Sequence, residues 1–137
     1  MHHTVKFLLI AVMCTGFFAS ASAQAQVKQY WFLMLTAGNN RTQDSATAAK
    51  IQEGHMANIK RLYNEGKLKV AGPFGDDGKW IGIFIFDCAT KEEVVTLLKT
   101  DPAIAAGRLA YDIHPWWTAQ EVLSPVSLLK IRDGIEF

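Results

Sequence analysis

The chain has 137 residues, a formal net charge of +1 and two cysteines, and half of its residues are apolar. This length suits one domain with a short appendage. Because the charges of both signs are interspersed and no block of like charge occurs, neither a nucleic-acid-binding protein nor one held on an anionic membrane surface is indicated.

The first 23 residues have the pattern of an export signal. Lys6 is followed by an apolar run from Phe7 to Phe18 and then by Ala21-Ser22-Ala23, an A-x-A cleavage pattern. The run is too short to span a bilayer. We therefore expect cleavage after Ala23, with cleavage after Ala25 as the second choice, and a periplasmic or secreted protein without a membrane segment. A retained membrane anchor is the alternative.

Cysteine and metal chemistry are limited in the mature chain. Cys14 leaves with the signal, so Cys88 is alone and cannot form an intrachain disulfide. Cys88 ends a strand pattern and is expected to be a half-buried small hydrophobe, with a catalytic thiol as the alternative. No zinc-ligand spacing and no glycine-rich phosphate loop is found, so neither a metal nor a cofactor is predicted.

After the export signal, the hydrophobic pattern predicts six elements in the order β-α-β-β-α-β. They are a strand at 29–36, a helix at about 45–65, strands at 68–71 and 79–87, a helix at 90–99 and a strand at 108–114. Ser45 or Thr47 is the expected N-cap of the first helix, and Thr90 begins a capping box for the second. Pro115 is expected to end the last strand.

This order is typical of the ferredoxin-like α+β fold, in which an antiparallel sheet carries both helices on one face. We assign residues 24–117 to this domain, 1–23 to the signal peptide and 118–137 to a C-terminal tail. The strands at 29–36 and 79–87 are apolar on both faces, whereas two helices cover only one face. We therefore expect a homodimer packed through the open sheet faces, with cover by the tail as the alternative.

The first helix carries a histidine in the middle of its apolar face. At about 100° per residue, His55 falls between Ile51 and Ile59 on the apolar arc, opposite the charged residues. Its ring nitrogens then need partners, because an unpaired buried polar group costs about 1–3 kcal/mol. Gly54, one residue earlier, weakens the helix by about 1 kcal/mol relative to alanine, and close packing against a neighbour would explain it.

A tight acidic loop follows the second predicted strand. The sequence Gly72-Pro73-Phe74-Gly75-Asp76-Asp77-Gly78 is a turn by composition. Because the chain reverses direction after the first helix, Asp76 or Asp77 is expected to meet His55 at the same end of the sheet. Aspartate before glycine is also ordinary turn chemistry, so a purely structural role for both residues is the alternative.

Four segments resemble the successive motifs of the YCII-related (YciI-like) proteins. They are HMANIKRLYNEGKL, AGPFGDDGKWIGIFIFD, TKEEVVTLLKTDPAIAAG and DIHPWW, and the resemblance covers about Tyr30 to Trp117. It implies a dimeric α+β barrel of ferredoxin-like subunits, in agreement with the periodicity. It also implies an active site built on a histidine–aspartate pair, which in this chain is His55 with Asp76, and with Asp77 as a close second.

The residues and the resemblance together lead to a functional hypothesis. Some YciI-like proteins are linked to dehydrochlorination of hydroxylated aromatics, so we expect His55, held by Asp76, to move a proton in an elimination or isomerisation of a small cyclic or aromatic molecule. Trp80, His114 and Trp116 are the candidate substrate-binding residues, with packing of the tryptophans and an edge position of His114 as alternatives. A non-catalytic small-molecule-binding module and a dimer with a purely structural histidine are the alternative functions.

Overall fold

The computed structural model describes residues 26–123, so the predicted signal peptide and residues 124–137 of the predicted tail lie outside the described part. The elements are β1 (Val27–Ala37), α1 (Ser45–Asn64), β2 (Leu68–Pro73), β3 (Trp80–Phe86), α2 (Lys91–Leu98), α3 (Pro102–Ala105) and β4 (Leu109–Ala119), followed by a 3₁₀ turn at Gln120–Leu123. The α+β class and the β-α-β-β-α-β order are confirmed, with α3 as a short additional helix. No helix of this part of the chain is long and apolar enough to cross a membrane.

The four strands form one antiparallel sheet in the order β2-β3-β1-β4. The edge strands are therefore β2 and β4, and each contains a proline, which an edge tolerates because one side of the strand needs no ladder hydrogen bonds. The prediction that Pro115 ends the last strand is wrong. Pro115 lies opposite Trp31 in the β1–β4 ladder, and β4 continues to Ala119, two residues into the segment that was expected to be the tail.

Both long helices lie on the same face of the sheet. The buried core joins Leu33 of β1 and Phe84 of β3, which are cross-strand partners, to Leu62 of α1 and to Val94 and Leu98 of α2. Burial of a side chain of this type contributes about 1.5–3 kcal/mol relative to leaving it exposed. The core thereby fixes the distance and the rotation of α1 over the centre of the sheet.

The opposite face of the sheet is apolar as well. Phe32 and Met34 of β1, Ile83 of β3 and Trp116 of β4 alternate with the core positions along their strands and are only partly buried. The rings of Phe32 and Trp116 contact each other, with centroids 5.9 Å apart. The two long helices leave this face uncovered, and this apolar surface is the basis of the homodimer prediction.

Capping sets where the two long helices begin. Asp44, rather than Ser45 or Thr47, is the N-cap of α1, because its carboxylate accepts a hydrogen bond from the backbone N–H of Thr47 at 2.8 Å. Thr90 is the N-cap of α2, as predicted. The correction at α1 shifts the start by one residue and leaves the rotation of its apolar face unchanged.

Glu93, in the first turn of α2, holds this helix to the loop before it. Its carboxylate accepts a hydrogen bond from the Lys67 ammonium at 2.6 Å and from the backbone N–H of Ala89 at 3.0 Å. These contacts, the first above all, hold the pKa of Glu93 below its ordinary value of 4.5. The stability that they contribute is therefore fully present above pH 4.5 and is lost as the pH falls through the lower pKa of the folded state.

We expect the substitution Glu93→Gln to lower the free energy of unfolding at neutral pH and to reduce its further loss on acidification. The reason is that the variant has no carboxylate to protonate at this position. Urea unfolding at neutral pH and on the acidic side of 4.5 measures both effects. Glu92→Gln is the matched control, because the side chain of Glu92 makes neither contact. An equal loss on acidification in Glu93→Gln and the wild type would contradict the assignment.

Candidate functional site: a buried histidine–aspartate pair beside a cavity

His55 lies on the face of α1 that packs against the sheet, as predicted, and is only 8% exposed. Its ring stacks on Phe84 of β3, with centroids 6.0 Å apart. The Nδ1 atom lies 2.9 and 2.7 Å from the two carboxylate oxygens of Asp101. A histidine–aspartate pair is therefore present, and its aspartate comes from the turn between α2 and α3.

Asp101 is almost fully buried, at 1% exposure, and the backbone holds it in place. It is the N-cap of α3, and its Oδ1 accepts a hydrogen bond from the N–H of Ala103 at 2.8 Å. A buried carboxylate is costly unless hydrogen bonds satisfy its oxygens, and here the amide and the imidazole supply them. An ionised carboxylate only accepts hydrogen bonds, so opposite such a carboxylate Nδ1 of His55 is the donor, and in the neutral ring Nε2 is then the acceptor.

Two further contacts hold the turn at residues 100–102 against α1. A Cβ atom on Gly54 would lie 2.9 Å from Cγ of Pro102, so glycine at this position permits the close approach of the turn. The buried side chain of Asn58 places its Oδ1 3.0 Å from the hydroxyl of Thr100. Gly54 and Asn58 therefore position the turn on either side of His55, and the close packing predicted as the reason for Gly54 is found.

A cavity of about 240 Å³ opens beside His55, between α1 and the sheet. Apart from Gln52 and His55, its lining consists of apolar side chains and glycines from α1 and all four strands. Nδ1 of His55 is hydrogen-bonded to Asp101, and Nε2 has no partner among residues 26–123. Within these residues, no side-chain nitrogen or oxygen is both fully buried and unpaired. Nε2 therefore reaches open space, and it is the ring nitrogen available to a ligand in the cavity.

The pairing of His55 with Asp76 or Asp77 has to be corrected. Both residues lie in the exposed loop between β2 and β3, and the carboxylate bonded to His55 is that of Asp101. The loop does lie at the expected end of the sheet, since Pro73, the last residue of β2, lines the cavity. The aspartates of this loop remain in solvent, whereas the turn before α3 is packed against α1.

The three residues expected to bind substrate lie outside the cavity. His114 and Trp116 occupy positions of β4 whose side chains lie on the sheet face away from α1, where Trp116 contacts Phe32. Trp80, at the start of β3, borders a separate small cavity with Asp76. Because successive residues of a strand point to opposite faces, His114 and Trp116 cannot turn towards His55 without a shift of register.

Asp101 is the residue of the site that the sequence did not reveal as the partner of His55. Asp101 precedes Pro102, a pattern that indicates a helix start, so capping alone accounts for it in the sequence. In the structure one oxygen both caps α3 and faces the imidazole. The available signal was Gly54, which indicates that another segment approaches α1 beside His55. Gln52 precedes His55 by three residues, which places both on one helix face.

Other reactive groups contribute less. Cys88 is buried, and burial raises the pKa of its thiol to about 11. The thiol is therefore protonated at neutral pH, as expected for a packing residue and not for a nucleophile. Within residues 26–123, no group of three or more histidine, cysteine, aspartate or glutamate side chains is placed to hold a metal ion.

Comparison with known proteins identifies the family. Residues 31–117, more than half of the chain, match the YCII-related domain. The chain belongs to the YCII-related family. This confirms the resemblance found in the order of its motifs. Of the curated proteins, this YCII-related chain is similar to the uncharacterized protein YjpA of Bacillus subtilis (strain 168), with 30% identity over 87 residues that cover 64% of this chain and 94% of YjpA.

A solved structure with some similarity is that of a dehydrochlorinase. It is the 5-chloro-2-hydroxyhydroquinone dehydrochlorinase TftG from Burkholderia phenoliruptrix AC1100, in complex with 2,5-dihydroxybenzoquinone. The TM-score is 0.47 and the sequence identity is 21%, over 63% of this YCII-related chain and 92% of that chain. A likeness of this size does not establish a shared activity.

We expect Gly54→Ala to destabilise the protein, although alanine favours a helix by about 1 kcal/mol over glycine. The new methyl group would press on the Pro102 ring and move α3, and overpacking of this kind costs about 1–3 kcal/mol. Urea unfolding measures the loss. The control is Gly54→Ala in a Pro102→Ala background, which removes Cγ and should make the change neutral or stabilising. An equal loss in both backgrounds would contradict the contact.

Proposed function

We propose that this YCII-related protein is an exported, cofactor-independent enzyme that uses His55, held by Asp101, for acid–base chemistry on a small cyclic or aromatic molecule. The observation that carries the proposal is that the two ring nitrogens differ: Nδ1 is bonded to a buried carboxylate, whereas Nε2 has no partner among residues 26–123 and belongs to a ring that lines the cavity. This is the arrangement that general acid–base catalysis requires, because the base must reach the proton that it abstracts and must be held in one tautomer.

The proposed reaction is an elimination or an isomerisation. In an elimination, Nε2 takes a proton from a carbon of the bound molecule, and the electrons of that C–H bond form a double bond. A leaving group departs from the neighbouring carbon with its bonding pair. The imidazolium that results is stabilised by the carboxylate of Asp101 at 2.7 Å, and in an isomerisation the same ring returns the proton to another carbon.

The assembly and the location belong to the same proposal. The apolar sheet face with Phe32 and Trp116 supports a homodimer, since an exposed apolar face of this kind marks an interface. Sedimentation of the purified protein tests the homodimer, and a mass of one chain would contradict it.

The signal pattern of residues 1–23 supports export to the periplasm or the medium, and N-terminal sequencing of the exported protein tests the export.

We expect the purified protein in D₂O to exchange a carbon-bound proton, or to release a leaving group, from at least one hydroxylated single-ring compound of a panel. Mass spectrometry and proton NMR detect both outcomes. His55→Gln should reduce the rate by about 10²–10⁴-fold, because it removes the base. Asp101→Asn should also reduce it, because the amide can donate to Nδ1 and leave the proton on Nε2.

Asp76→Asn is the matched control, because it makes the same chemical change in the exposed loop, and it should retain the wild-type rate. Full turnover by His55→Gln would contradict the proposal. A second outcome would replace it: compounds that bind in the cavity without any exchange or release would assign the protein to the alternative class, a non-catalytic small-molecule-binding module.

A further inference from the structure

Among residues 26–123, no lysine or arginine lines the His55 cavity, and Gln52 and His55 supply the only polar side chains of its lining. Lys60 and Lys69 border a separate open groove that shares only apolar residues with the cavity. A ligand in the cavity therefore finds two hydrogen-bonding groups and no permanent cation.

The histidine–aspartate pair does not replace the missing cation. In the two protonation states that acid–base chemistry uses, the ionised pair has a net charge of −1 or zero. An anion beside Nε2 would meet no net positive charge within the pair. It would also lose part of its hydration against the apolar lining, and a charge that is buried without compensation costs several kcal/mol. Uncharged ligands are favoured on both grounds.

The volume limits the size of the ligand. About 240 Å³ is below the range of about 300–1,000 Å³ that is usual for drug-sized ligands. An apolar protein cavity of about 150 Å³ holds a benzene molecule. The cavity therefore has room for one six-membered ring with a few small substituents. Phe84, on which the His55 ring stacks, is one of the apolar residues of the lining.

Gln52 is solvent-exposed and lines the cavity, so its amide can bind a polar substituent of such a ring from the solvent side. It precedes His55 by three residues on α1, so the two side chains lie on neighbouring positions of one helix face, and both line the cavity. Its amide both donates and accepts hydrogen bonds, so it can bind a hydroxyl or a carbonyl oxygen. Because the amide is uncharged, it does not compensate the negative charge of a carboxylate or a phosphate.

We infer that the cavity selects an uncharged single-ring compound that bears a hydroxyl or carbonyl oxygen, and that Gln52 binds this oxygen and sets the selection against anions. This inference rests on the proposed function, because it names the substrate class of the same site. Gln52 orients the substrate while His55 moves the proton. Changing the amide to a cation would therefore change which charge class the cavity accepts.

The test compares phenol with benzoate at neutral pH, where phenol is uncharged and benzoate is an anion of similar size. Saturable shifts of the His55 ring resonances report occupancy and give a Kd for each probe at millimolar concentrations. The proteins are the wild type, Gln52→Leu, Gln52→Arg and the control Gln29→Leu, which makes the same change near the start of β1, outside the lining.

We expect the wild type to bind phenol at least about tenfold more tightly than benzoate. The substitution Gln52→Leu should raise the Kd for phenol by about five- to tenfold, because one hydrogen bond is lost. The substitution Gln52→Arg should lower the Kd for benzoate about tenfold or more, because it supplies the missing cation. Gln29→Leu should match the wild type with both probes.

Three results would overturn the inference: equal binding of both probes by the wild type, no saturable response to phenol, or unchanged benzoate binding in Gln52→Arg. The test involves no turnover, so its failure is distinct from that of the proposed function. Selective phenol binding by a protein that moves no proton would overturn the enzyme proposal alone. Proton exchange by a cavity that does not discriminate charge would overturn the selection by Gln52 alone.

Discussion

The hydrogen bonds between His55 and Asp101 are the interaction on which the rest of the site depends. They join the middle of α1 to the turn before α3, although the two residues are 46 positions apart in the chain. Both side chains are buried, so each needs the other: a buried polar group that loses its hydrogen-bond partner typically costs about 1–3 kcal/mol. The pair is thus a constraint on the fold as well as a source of chemistry.

The fold supports this pair with small, specific contacts. The absence of a side chain at Gly54 lets Pro102 approach α1, and Asn58 holds Thr100 on the other side of the imidazole. The core fixes α1 over the sheet, and the α1–sheet space that the core does not fill is the cavity beside His55. Packing therefore determines where the imidazole lies, which of its nitrogens meets Asp101 and which is left for a ligand. This is expected of a site built on rigid elements.

Sequence periodicity predicted the elements and the place of His55 because these depend on neighbours along the chain. It failed for the partner because the partner is a tertiary contact. Asp101 has the local signature of a helix cap, and it is one, so nothing in its sequence indicates a second role. Asp76 was preferred because its loop approaches the correct end of the sheet, but burial, which sequence composition does not report, distinguishes the two aspartates.

The strands show the same difference between what neighbours along the chain determine and what tertiary contacts determine. The alternation of β4 predicted a strand, but the direction of its faces depends on the register with β1, which places His114 opposite Phe32 and away from α1. The last strand was predicted to end at Pro115 because proline is excluded from central strands. An edge strand tolerates proline, but which strands lie at the edge depends on the whole sheet and not on the local sequence. Family membership did not supply the register or the partner of His55 either.

The proposed chemistry depends on Asp101, which fixes His55 with its proton on Nδ1 and leaves Nε2 to the cavity. The most direct test is ¹⁵N NMR of the imidazole in protein labelled at histidine, which distinguishes the two nitrogens by their protonation. We predict a protonated Nδ1 and an unprotonated Nε2 when the ring is neutral, with this pattern lost in Asp101→Asn and kept in Asp76→Asn. A proton on Nε2 in the wild type, or a pattern that responds to Asp76→Asn and not to Asp101→Asn, would contradict it.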